Sequence, residues 1–176
     1  MTYQSEIKKT MQWLSTIDDT IFIGQGVLYG DGIYRTLLDI PSNKKLEMPV
    51  AEDMQMGIST GLALEGYLPI TIYLRMDFLI LAINQLVNHL DKLEELSNGI
   101  FKPKVIIRCI VGSKTPLYPG LQHCQDHTEL LKACLTNIDI IKLTSIDMIK
   151  TSYRKAIESD KSTILIEMKE LYETTE

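Results

Sequence analysis

The sequence predicts an α/β fold, a mostly parallel β-sheet with helices packed on both faces. Three observations lead there. Continuous apolar runs recur at "TIFIG" (20–24), "PITIYL" (69–74), "KVIIRCIV" (104–111), "IDIIKL" (138–143) and "STILIEM" (162–168). Runs without polar alternation suit strands covered on both faces. Helical patterns at 3–15, 52–65, 77–97, 126–135 and 145–158 lie before and between them, the alternation that builds a parallel sheet. No repeat, linker or low-complexity segment interrupts the series.

Taken in order, each element has a local reason. The helix over 52–65 opens with Glu52, an acid that complements a helix amino terminus. Gly57 and Gly61 fall four apart on one of its faces. Mid-helix glycine costs about 1 kcal/mol relative to alanine, so the pair predicts close approach of another backbone. On the helix over 77–97, Gln85 and Asn88 sit one turn apart. The strand over 104–111 carries Arg108, which calls for a carboxylate partner near the sheet's end, and it runs straight into "GSKTPLYPGLQ" (112–122). Ligand loops of open α/β sheets stand at strand carboxyl ends.

The bulk properties exclude several classes. The chain has 176 residues, is 45% hydrophobic and carries a net charge of −5, which predicts one domain with ample core material. No basic cluster offers a footprint for nucleic acid or an anionic membrane. No apolar run reaches the length of a membrane span, and the amino terminus lacks an apolar signal core. Cys109, Cys124 and Cys134 form no C-x-x-C pair, so reduced thiols in a cytoplasmic protein are expected and no metal ligands are assigned.

The most specific stretch is "MPVAEDMQMGISTGLALEGYLPITIYLRMDFLILAINQLVNHLDKL" (48–93). Pro49, Glu52, Gly57 and Gly61 are followed by Gly66, Pro69, Ile70 and Phe78, then by Gln85, Asn88 and Lys92. Further on, "KVIIRCIVG" and "GLQHCQD" contribute Arg108, Gly112, His123 and Gln125. In this order the residues resemble the amino-terminal half of the beta subunit of thiamine diphosphate-dependent 2-oxoacid dehydrogenases. Pyruvate, branched-chain and acetoin dehydrogenases share this transketolase-like pyrimidine-binding domain. The resemblance runs from about residue 20 to about residue 172.

What the resemblance implies is residue-specific. Glu52 matches the carboxylate that bonds the cofactor's pyrimidine ring nitrogen and helps generate its nucleophilic carbon. Phe78 matches the aromatic that stacks on the pyrimidine, and Leu74 lies at the same strand end; an aromatic face with an aliphatic wall suits a flat heterocycle. His123 matches a histidine near the substrate and the incoming lipoyl arm. The glycine face of helix 52–65 matches a subunit interface beside the cofactor. Ile72 stands where the family has glutamate, Arg75 where it has an aromatic and Asn84 where it has aspartate, and "SKTPLYP" (113–119) replaces a mostly glycine-rich stretch.

"LYGDGIYR" (28–35) contains the Gly-Asp-Gly that opens the magnesium-diphosphate signature of thiamine enzymes. That signature also requires an asparagine roughly 25 to 30 residues downstream to complete an oxygen shell. The corresponding window, "AEDMQMGIST", has none. Gly30 and Gly32 are therefore expected to serve a turn, by adopting positive φ.

The resemblance thus implies a single pyrimidine-binding domain over 1–176, without the family's carboxyl-terminal domain. Its thiamine diphosphate would be shared with an alpha-type partner subunit carrying the diphosphate site and the magnesium. A homodimer or heterotetramer, and a lipoyl domain as acceptor, go with that picture. The implied reaction is decarboxylation of a 2-oxoacid with transfer of the acyl or aldehyde unit. Two other readings share the fold: a non-catalytic structural or regulatory subunit, and a subunit of a related carboligase or decarboxylase.

Overall fold

The computed structural model describes residues 1–175. Six strands form one sheet in the order β2-β1-β3-β4-β6-β5: β1 (Thr20–Gly24), β2 (Lys45–Glu47), β3 (Leu68–Tyr73), β4 (Ile106–Val111), β5 (Asp139–Leu143) and β6 (Thr163–Met168). Every pairing is parallel. The helices are α1 (Tyr3–Ser15), α2 (Glu52–Leu64), α3 (Met76–Leu79), α4 (Leu93–Leu96), α5 (Thr128–Cys134) and α6 (Ile146–Glu158).

The two faces of the sheet carry separate apolar cores, as the unbroken apolar strands require. On one face, Ile7, Met11 and Leu14 of α1 and Ile149 and Tyr153 of α6 pack with Phe22, Ile70, Ile106 and Leu165. On the other, Met56 of α2 and Leu131 of α5 join Tyr73, Ile107, Cys109 and Ile166. Consecutive β4 residues divide between the layers, Ile106 and Ile110 to the first, Ile107 and Cys109 to the second. That is the period-two projection of an extended chain.

Local chemistry sets the ends. Helix α1 starts in a reciprocal capping box: the Ser5 amide donates to Thr2 Oγ1 at 3.1 Å and the Thr2 amide donates to Ser5 Oγ at 2.9 Å. Gly24 closes β1, and a β-carbon there would lie 2.6 Å from the Ile72 carbonyl oxygen. Only glycine lets these strand ends meet so closely.

Arg108 finds the expected carboxylate in Glu167. Its Nε donates to Oε1 at 2.5 Å and its Nη2 to Oε2 at 3.0 Å, with both side chains fully buried. Thr36 Oγ1 accepts a further bond from Nη1, while the hydroxyl of Tyr172 donates to Glu167. Burial pulls the Arg108 pKa down, but Glu167 outweighs it and raises the guanidinium above its usual range.

Two expectations need correction. The helix expected over 77–97 is broken into α3, a 3-10 turn (Ile80–Ala82), a π-type turn (Gln85–Leu90) and α4. Its far end is tied down by Asp91, whose carboxylate accepts from the Thr136 and Asn137 amides at 2.9 and 2.7 Å. The sheet also has a strand not expected from the sequence: β2, three residues at the edge that lack an apolar run. Among the described residues no helix is long and apolar enough to cross a membrane.

Candidate functional site

The order of the sheet creates a switch point. The chain leaves β1 for β2 on one side, then returns to β3 on the other. In open α/β sheets the crevice at the carboxyl ends of such strands is the ligand site. Here Gln25, Glu52, Gln55, Ile72, Tyr73, Leu74 and Phe78 line one crevice at that place. Three residues singled out from the sequence, Glu52, Leu74 and Phe78, therefore come together.

Glu52 is the first residue of α2, and its position is fixed from below. The Tyr73 hydroxyl donates to the Glu52 carbonyl at 3.2 Å. One turn on, Gln55 Nε2 donates to Thr71 Oγ1 at 2.9 Å and to the Ile72 carbonyl at 3.1 Å, clamping α2 onto β3. Glu52 is 9% exposed as a residue. Among the described residues its carboxylate accepts no hydrogen bond, which leaves its oxygens open to a ligand in the crevice.

His123 reaches the site from the loop after β4. Its ring meets Phe78 edge-on, with centroids 5.5 Å apart and planes at 83°. The loop is stitched to α3: Gln125 Nε2 donates to Asp77 Oδ1 at 2.8 Å, and the His127 amide donates to the Met76 sulfur at 2.9 Å. The Nδ1 of His123 is buried without a partner among the described residues. His123 thus adjoins the crevice through Phe78.

The other sequence candidates lie apart. Gln85 Nε2 donates to Asp53 Oδ2 at 3.2 Å, linking the π-type turn to α2, and Asn88 bonds Asn84. Among the described residues, and leaving aside its own helix backbone and chain neighbours, nothing lies within 4 Å of where a β-carbon on Gly61 would stand, and a β-carbon on Gly57 would meet only the Gln85 side chain. Among the described residues, the expected close backbone approach is therefore not made. Gly30 and Gly32 adopt the positive φ expected of a turn. Gln25 and Gln55 were not picked out from the sequence, although Gln25 directly follows a predicted strand. Among the described residues no group of His, Cys, Asp and Glu is placed to hold a metal ion.

The chain resembles known proteins in sequence and in fold. No protein-family model matches the chain. It is 32% identical over 133 residues to the pyruvate dehydrogenase E1 component subunit beta of Gracilaria tenuistipitata var. liui, covering 73% of this chain and 39% of that protein. The same subunit from Cyanidium caldarium is 29% identical over 163 residues, covering 88% of this chain and 48% of that protein. The chain spans less than half the length of these two curated relatives. Among solved structures, a split-gene transketolase described as an inactive beta4 tetramer superposes with a TM-score of 0.75, at 16% identity, over 96% of this chain and 52% of that one. Transketolase from Campylobacter jejuni gives 0.74 at 12% identity, over 100% of this chain and 27% of that one.

Fold and sequence define a transketolase-like domain of the pyrimidine-binding type. Its relatives by sequence are the beta subunits of pyruvate dehydrogenase E1.

Proposed function

We propose that this chain is a single pyrimidine-binding domain that forms a thiamine diphosphate enzyme with an alpha-type partner supplying the diphosphate and magnesium site. The observation that carries this is the Glu52 carboxylate, unbonded and lining one crevice with Leu74 and Phe78. An acceptor without a partner, an aliphatic wall and an aromatic ring fit one edge and face of an aminopyrimidine. When bound, thiamine diphosphate supplies a nucleophilic carbon for decarboxylating a 2-oxoacid.

The residues divide the work. Glu52 holds a proton against the pyrimidine ring nitrogen. Leu74 and Phe78 orient that ring and keep water from it. His123, its Nδ1 free and its ring edge-on to Phe78, stands ready to move a proton on the substrate or acceptor. The outward face of α2 provides the partner surface: Met54, Ile58 and Leu64 are exposed and apolar, and Gly57 and Gly61 notch the helix between them. A homodimer or heterotetramer, with a lipoyl domain as acceptor, completes the assembly in the cytoplasm, consistent with three free cysteines.

Affinity purification of the tagged chain from its native cells tests this reading. A co-purifying polypeptide with a complete Gly-Asp-Gly…Asn signature, and thiamine diphosphate-dependent decarboxylation by the pair, is expected. Recovery with no such polypeptide would overturn it.

A further inference from the structure

A second cavity lies around the residue that follows Leu74. It has a volume of about 340 Å³ and is lined by Tyr34, Arg75, Ser113, Thr115, Pro116, Leu117, Pro119 and Lys169. Arg75 stands over the Tyr34 ring with its guanidinium carbon 5.4 Å from the centroid. Lys169 Nζ lies 4.8 Å from the same centroid and 4.3 Å from that of Tyr172. Two cations thus gather on aromatic faces, and among the described residues neither has a carboxylate within ion-pair distance.

Three further features set this place apart from a chance pair of surface charges. The Tyr34 hydroxyl and Arg75 Nε are buried without hydrogen-bond partners among the described residues. Arg75 is already oriented, because its Nη1 donates to the Leu74 carbonyl at 2.9 Å. Tyr34 is held in place at a conformational cost: Ile33, Tyr34 and Arg35 have φ of 53°, 52° and 63° in succession. Left-handed backbone is strained for non-glycine residues, and such strain clusters at ligand sites.

Burial lowers the pKa of both cations, and Arg75 lowers that of Lys169 further. The more distant carboxylates of Asp77 for Arg75, and of Glu173 and Asp31 for Lys169, act in the opposite sense. An anion placed between the cations relieves the repulsion and uses the unmet donors. Pro116, Leu117 and Pro119 give the cavity an apolar wall.

We infer that the cavity between Tyr34, Arg75, Lys169 and the loop 113–119 binds a small organic anion, its carboxylate or phosphate head on the cations and its aliphatic body on the proline-leucine wall. The site shares no lining residue with the Glu52 crevice, so its failure would leave the cofactor reading standing.

The test is ligand-observed NMR titration of the full-length chain with butyrate, butyl phosphate and butylammonium at constant ionic strength. Saturable binding of butyrate, butyl phosphate or both is expected, with butylammonium excluded; which anion binds tells a carboxylate ligand from a phosphate one. Arg75→Gln and Lys169→Gln should each weaken binding at least about tenfold, the effect of losing one charge-assisted contact. Tyr34→Phe, which keeps the ring, should weaken it by a smaller factor. If Arg75→Gln fails to fold, Lys169→Gln decides. Absence of saturable anion binding, equal binding of butylammonium, or unchanged affinity in Lys169→Gln would overturn the inference.

Discussion

The His123 carbonyl fills the space where a side chain on Gly112 would begin: a β-carbon there would lie 1.8 Å from that oxygen. The loop that carries His123 back to Phe78 therefore closes only over a residue without a side chain. Gly112→Ala should move the loop, lower stability by about 1–3 kcal/mol as overpacking does, and remove the ring-current shift that Phe78 imposes on the His123 protons. NMR and denaturant unfolding read both effects. Unchanged His123 shifts would show that the contact does not position the loop.

The Arg108–Glu167 pair is the polar centre of the sheet, held by Thr36 and Tyr172 as well as by its own two hydrogen bonds. Arg108→Met keeps much of the volume but strands a buried carboxylate. A loss of about 3–5 kcal/mol in unfolding free energy is expected. A loss below about 1 kcal/mol would mean that water reaches Glu167 and solvates it.

Asp91 predicts a pH dependence. Burial raises its pKa, but hydrogen bonds from Lys92, Asn137 and Thr136 outweigh this and hold it below the ordinary 3.8. A depressed carboxyl contributes stability that is complete above its unfolded pKa and disappears as pH falls through the folded one. Asp91→Asn should therefore destabilise the chain at pH 7, and the gap to the unsubstituted protein should narrow below about pH 4. Urea unfolding across pH 3–7 measures it; a gap that widens in acid would contradict the assignment.

Much of this structure was legible in the sequence, for physical reasons that also explain the failures. Strands such as Ile106–Val111 are buried on both faces and advertise themselves as apolar runs, and alternation with helices fixed the parallel class. Strand β2 stayed hidden because Lys-Leu-Glu at a sheet edge needs no apolar run. The break in the helix expected over 77–97 has no glycine or proline to announce it; the tie from Asp91 to Thr136 and Asn137 spans more than 40 positions. Glu52, Leu74 and Phe78, which line one crevice, stood out because they belong to one ordered motif within 48–93. The Tyr34–Arg75–Lys169 cavity did not, because its cations come from distant segments and its aromatic ring depends on left-handed backbone at Ile33–Arg35 that no residue type there favours.

The central claim, that the Glu52 carboxylate activates thiamine diphosphate held between this chain and its partner, is tested most directly by Glu52→Gln. The measurement is turnover of the complex reassembled with the co-purified partner. The side chain keeps its size but loses its charge and its capacity to hold a proton, so the amount of partner retained should be unchanged while turnover falls about 100-fold or more. Turnover within about twofold of the unsubstituted complex would contradict the account.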